Sequence, residues 1–344
     1  MNLNIISKYR NEIYGFSIIW IVLFHGAAIN HVDYSFGYSL LQPMQRFLSL
    51  GNVGVDIFLF LSGVCLYFSF AKSRNLYLFA KKRLLRIIPP VLIVYSLYWI
   101  VRYGVFASDP VGVVSRLMLM RFWLTGDQTI YFASLMLVLY FFYPYIYAFL
   151  FSGKRSGLRF VVLMIAAYIA VVTISLVDPK WYSLTEIALT RIPVFILGSY
   201  FGKWVYEGKV VGRVFVPVAL IGSVAFFAIL DADILSGPIK RFFYLVGGVS
   251  LSYTFALLMY VLDNRMRCSA DCPPLLHRFL SFFGAFSFEL YLAHIMLNQI
   301  LRMLPLYQKG DLLQYLAIAV ISCFVAFAAH KVTDALAKKA LARR

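Results

Sequence analysis

The chain has 344 residues, 62% of them hydrophobic, and a mean hydropathy of +0.81. Soluble domains hold about 45–50% apolar residues, so a soluble enzyme is excluded. The net charge of +17 alternates from loop to loop instead of lining one face, which sets nucleic-acid binding aside.

About ten apolar runs are long enough to cross a bilayer as helices. They fall near residues 13–30, 53–70, 84–103, 130–151, 159–177, 187–204, 213–230, 242–262, 280–301 and 313–332. The connecting segments are too short and too apolar to form a globular unit, so residues 1–344 read as a single integral membrane domain, an all-α polytopic helical bundle. Lys and Arg gather before the first run (Lys8, Arg10), after the second (Lys72 through Arg86) and in the tail "KVTDALAKKALARR". The positive-inside rule then puts both termini in the cytoplasm. Asp33, Asp109, Asp178 and Asp311 fall on the opposite side, in keeping with that topology. The first run resembles a cleaved signal peptide in its flanks, but the spans that follow favour an uncleaved anchor.

In chain order, the first span, "FSIIWIVLFHGAAIN", carries His25, roughly 18 Å along a helix that starts near Ile13. Two readings are open. One is a histidine tying two helices together by a hydrogen bond; the other is a general base or acyl carrier facing a cavity. In the second span Asp56 sits near the outer end, and a Ser62-Gly63 pair interrupts the apolar run. Asp56 either orients His25 or stays solvated. The basic cluster Lys81, Lys82, Arg83 and Arg86 runs straight into the third span, as a topology signal or as a binding site.

Trp123 and Tyr131 bracket the outer end of the fourth span, where an aromatic belt and stacking on a sugar are the alternatives. The sixth span carries Arg191 before Pro193, and Gly198 and Gly202 at a spacing that permits close helix approach. In the ninth, Ser287, Tyr291, His294 and Asn298 follow one another at steps of 4, 3 and 4 and share a face. His294 orients a substrate or bonds to a neighbouring helix. Glu289 lies more than roughly 100° from that stripe and suits a contact with a basic residue such as Arg10 or Arg191. Cys65, Cys268, Cys272 and Cys323 show neither metal-ligand spacing nor a disulfide framework. Walker, Rossmann and HExxH motifs are absent, and no metal is expected.

Four stretches in order, "EIYGFSIIWIVLFHG" (12–26), "GNVGVDIFLFLSGVCLYF" (51–68), "FAKKRLLRIIPPVLI" (79–93) and "FFGAFSFELYLAHIML" (282–297), resemble the acyltransferase-3 family of bacterial membrane acyltransferases. The resemblance runs along nearly the full chain. It implies transfer of an acyl group, usually acetyl, from cytoplasmic acyl-CoA to a hydroxyl of an extracytoplasmic carbohydrate such as exopolysaccharide, capsule or lipid-linked glycan. The implied location is the inner (cytoplasmic) membrane, with lipid as surroundings and with a homo-oligomer or a polysaccharide-assembly partner left open.

In that resemblance His25 matches the family's functional histidine, Asp56 its "GVD" element, and Arg83 and Arg86 its paired arginines. Lys82, Arg83 and Arg86 would bind the donor's phosphates, helped by the amino terminus of the third helix. The donor's pantetheine arm would reach His25 through one central cavity. Many members carry an arginine eleven positions before the histidine, where this chain has Tyr14. Arg10 and Glu12 are the nearest charged replacements, Arg10 lying about 60° from His25 around the helix and so lower in the same cavity. In "ASLMLVLYFFYP" Tyr140 and Pro144 are kept, but Met136 and Leu137 stand where one branch of the family has acids, so the acceptor differs from that branch's sugars. No esterase-like domain is expected after the last span. The competing class is a transporter or flippase for glycolipid or polysaccharide precursors, which would also hold polar residues near the midplane.

Overall fold

The computed structural model describes residues 2–212, 214–232, 234–235, 237–265 and 274–342. Cys268, Cys272, Arg343 and Arg344, and the first residue of the 213–230 run, lie outside the described residues.

Its long helices are α1 (Arg10–Asn30), α2 (Val53–Lys72), α3 (Leu76–Trp99), α4 (Tyr131–Phe151), α5 (Ser156–Val177), α6 (Ile192–Tyr206), α7 (Phe215–Asp231), α8 (Gly237–Arg265), α9 (Leu275–Ala285), α10 (Ser287–Leu301) and α11 (Leu312–Ala342). A further helix, Pro179–Leu189, leads into α6. Among the described residues no strand forms, and an isolated bridge joins Asn2 to Val210. This is an all-helical bundle whose outside is oil-like. In α5 the one buried residue is Val171, as suits a helix whose solvent is lipid rather than water.

Eight helices among the described residues are long and apolar enough to cross a membrane, against the ten runs expected. The difference has two sources. The 280–301 run is not one helix but two, α9 and α10, which meet at Phe286 with a bend of 69°. Phe286 leaves helical geometry (φ −117°, ψ 26°), and the Ser287 hydroxyl donates to the Gly284 carbonyl at 3.0 Å across the break. No proline marks it, so apolarity alone reads through it. The 213–230 run forms α7, whose 17 residues fall short of a full span.

The third helix also departs from expectation. It starts at Leu76, capped by the Asn75 side chain accepting from the Leu78 N–H at 2.9 Å, and continues through Pro89 and Pro90 into a π-helical turn, Ile100–Phe106. Lys82, Arg83 and Arg86 therefore lie inside the helix. Helix-dipole assistance fades within the first turn, so it does not reach them.

Two glycine contacts set the frame. A Cβ on Gly15 of α1 would run into the backbone at Leu280, and one on Gly284 of α9 would run into the backbone at Asn11. The same reciprocity joins α2 to α6: Gly63 faces the Phe195 carbonyl and Ser199, while Gly198 faces the Phe60 backbone and Gly202 faces Tyr67. Only bare Cα atoms let helix axes approach this closely without a hydrophobic drive between them. Gly63 thus packs α2 instead of interrupting it; α2 runs unbroken through Ser62-Gly63.

Candidate active site

Near the end of α1, the half-buried His25 turns Nδ1 toward Nε2 of His294 on α10, 2.7 Å away. The rings lie nearly parallel, with centroids 4.9 Å apart. The other nitrogen of His294, Nδ1, lies 2.9 Å from the Leu290 carbonyl. A carbonyl can only accept, so His294 Nδ1 carries the proton and its Nε2 is a lone pair. His25 Nδ1 must then donate to it, which leaves Nε2 of His25 as the free basic nitrogen. The arrangement sets the tautomer of one imidazole through another.

His25 lines a cavity of about 420 Å³ together with Asn52, Gln128, Tyr131, Arg191, Arg241, Tyr291, Asn298, Gln299 and Arg302. A second cavity, of about 330 Å³, is lined by Arg10, Tyr14, Ser62, Cys65, Lys82, Arg83, Arg86, Tyr140, Ser287 and Tyr291. We call them the histidine cavity and the arginine cavity. Ile21, Val55 and Tyr291 line both, so these three side chains form the septum between them. The Tyr291 hydroxyl is buried there beside the Phe132 backbone, and its own proton has no acceptor among the described residues. Both volumes lie within or near the range of small-molecule sites.

In the arginine cavity, the Arg83 guanidinium sits 5.4 Å from the Phe79 ring and 5.8 Å from the Tyr140 ring, and its buried Nε has no partner among the described residues. A buried donor without a partner beside Lys82 and Arg86 is free to bond an anion, and phosphate is the group whose oxygens such a cluster suits. Arg86 reaches the buried Glu289 of α10 at 3.9 Å. Glu289 Oε1 also faces His330 at 3.1 Å and Thr333 at 3.2 Å, both on α11.

A family model described as "Acyltransferase domain", that of acyltransferase-3, matches residues 15–331. The chain belongs to the acyltransferase-3 family. Together with its apolar helices, this makes it a membrane acyltransferase. Comparison with curated proteins and with solved structures returned no match.

The structure of this acyltransferase brings together most of the residues singled out from sequence, in two groups instead of one. His25, Tyr131, Arg191 and Tyr291 line the histidine cavity, with His294 directly behind His25. Arg10, Tyr14, Ser62, Lys82, Arg83, Arg86 and Ser287 line the other. A single central cavity is not what forms, and Arg10 does not share His25's: Ile21, between them on α1, is part of the dividing wall.

Four placements are corrected. Asp56 neither orients His25 nor stays solvated; it is buried against Arg191, Oδ2 to Nε 3.2 Å, and Arg191 also donates to the Ile187 carbonyl at 2.8 Å. Two ions removed from water hold each other in place. Glu12 lines neither cavity and faces His277 Nδ1 on α9 at 3.3 Å. Glu289 pairs with Arg86 and α11 rather than with Arg10 or Arg191. Trp123 lines neither cavity: its carbonyl accepts from the Trp181 indole at 3.3 Å, and its ring packs on Phe122.

Sequence reasoning missed Asn52, Gln128, Gln299, Arg241 and Arg302. They sit at helix ends or in short connections, where a polar residue looks like ordinary surface. Arg302 has one usable signal: it lies four residues beyond Asn298 and so extends the polar face of α10 by one turn.

Proposed function

We propose that this acyltransferase is an O-acyltransferase of a bacterial cytoplasmic membrane, with both termini in the cytoplasm. It moves an acyl group, acetyl as the usual case, from cytoplasmic acyl-CoA to a hydroxyl of an extracytoplasmic carbohydrate such as exopolysaccharide, capsule or lipid-linked glycan. The basic loops favour the arginine cavity on the cytoplasmic side. The histidine cavity then opens outward. The observation that carries the reading is the His25–His294 contact, which leaves a basic imidazole nitrogen beside a cavity rich in side-chain amides.

In this reading the donor's phosphates rest on Lys82, Arg83 and Arg86, and the pantetheine arm carries the thioester up to the Ile21–Val55–Tyr291 septum. His25 Nε2 takes the proton from the acceptor hydroxyl as its oxygen attacks the thioester carbonyl. The C–O bond forms, the C–S bond breaks, and the proton passes from His25 to the departing CoA thiolate. An acyl-histidine route uses the same nitrogen as nucleophile first. The Tyr291 hydroxyl, whose proton has no acceptor among the described residues, is the donor available at the septum for the oxyanion.

Purified protein incubated with labelled acetyl-CoA tests the proposal. Release of CoA and transfer or hydrolysis of the label are expected, and are lost in His25→Ala. Equal turnover by His25→Ala at equal protein level would remove His25 from the chemistry. Two cavities set back to back also suit a flippase for a glycolipid or polysaccharide precursor. That protein would leave the thioester intact.

A further inference from the structure

The walls of the histidine cavity carry three guanidinium groups, Arg191, Arg241 and Arg302, and, among the described residues, no Asp or Glu. Two of the three are offset from behind. Arg191 has Asp56 at 3.2 Å, and Arg241 has Glu186 at 3.1 Å; neither carboxylate lines the cavity. Arg302 is different. Its Nε and Nη2 both reach Asn30 Oδ1 at 3.4 Å, a neutral and distant partner. Asn30 in turn donates to the His25 carbonyl at 3.3 Å and accepts from the Tyr307 hydroxyl at 3.2 Å. Asp33 accepts from Ser35 and Asp311 from the Gln314 N–H, and neither forms an ion pair with Arg302. Arg302 is thus anchored to the last residue of α1 and exposed, with no carboxylate paired to it among the described residues.

Neutral sugars do not need this. Hydroxyls are met by amides and aromatic faces, and the cavity has them: the buried oxygens Asn298 Oδ1 and Gln299 Oε1 lack partners among the described residues, and Tyr131 lies alongside. A guanidinium fork beyond that set selects a carboxylate or phosphate. We infer that the acceptor carries an anionic group, which Arg302 holds so that a neighbouring hydroxyl faces His25. The chemistry is shared by an acidic sugar and by a phosphorylated glycan. This rests on the histidine cavity being the acceptor site, as proposed above.

The test is binding without any acyl donor, so it stands apart from whether the protein consumes acetyl-CoA. Full-length protein in phosphatidylcholine nanodiscs is titrated with the methyl glycosides of glucose, glucuronic acid and glucose 6-phosphate. At least one charged probe is expected to bind about tenfold tighter than the neutral one, as a charge-assisted hydrogen bond provides. Preference for the glucuronide names a carboxylate; preference for the phosphate names a phosphorylated glycan. The difference shrinks as salt rises, disappears in Arg302→Gln, survives in part in Arg302→Lys, and is unchanged in Lys309→Gln, an exposed cation outside the cavity. Arg302→Lys also guards against a variant that merely fails to fold. Charged probes that bind no tighter than the neutral one, or a preference that persists in Arg302→Gln, would overturn the inference.

Discussion

Nδ1 of His25 stands 2.7 Å from Nε2 of His294, and the Leu290 carbonyl at the far end of that contact fixes which nitrogen carries each proton. His294 acts through His25, as a positioning residue. In His294→Leu the imidazole of His25 is free to adopt either tautomer, and kcat should fall about a hundredfold with acyl-CoA affinity unchanged. His294→Gln, whose amide oxygen still accepts from Nδ1, should recover much of the rate. Because a protonated His25 cannot take a hydroxyl proton, kcat/KM of the native protein should rise with pH along its acid limb, and the slowed Leu variant, which keeps His25 as its base, should keep that rise.

The Asp56–Arg191 pair predicts a stability effect instead. Removing the carboxylate in Asp56→Ala strands a guanidinium that is 3% exposed, at a cost of about 3–5 kcal/mol. Asp56→Ala combined with Arg191→Met leaves no stranded charge and should regain most of the lost Tm. Equal Tm for the two variants in detergent would show that the stranded guanidinium is not what costs the stability.

For the arginine cavity, Arg83→Ala and Arg86→Ala should each weaken CoA binding about tenfold, measured by calorimetry. Glu289→Gln should weaken it less, by loosening Arg86 from its 3.9 Å contact. Unchanged CoA affinity in the double arginine variant would reduce these residues to topology signals.

The septum predicts a leak. Ile21→Ala thins the wall between the two cavities, so water reaching the thioester should raise acetyl-CoA hydrolysis relative to transfer. A hydrolysis-to-transfer ratio equal to that of the native protein would mean that the wall is not the barrier.

At the α2–α6 contact, Gly198→Val has to displace the Phe60 backbone. Overpacking at such a point costs about 1–3 kcal/mol or more. Little folded protein should be recovered from membranes, whereas Gly212→Val, with open space around it, should be recovered at native level.

Apolar run length made the membrane bundle legible, and 3.6-residue periodicity made the Ser287–Asn298 stripe legible, since both are local properties. All four residues of that stripe are buried. What stayed hidden is what depends on distant partners. Nothing around Asp56 announces Arg191, 135 residues away, and nothing around Glu289 announces His330. The break at Phe286 escaped notice because it is made by backbone torsion inside an apolar run. The division into two cavities was equally unreadable, because it rests on Ile21 and Val55, side chains with no chemical signature.

That break gives α10 a mechanical character. Its 15 residues form a rod about 22 Å long, with Ser287 in one chamber and Asn298 in the other. A stiff rod that pivoted at Phe286 would carry its far end further sideways than its near end. The imidazole behind His25 sits on that rod, so the bend angle and the place of His294 are set together.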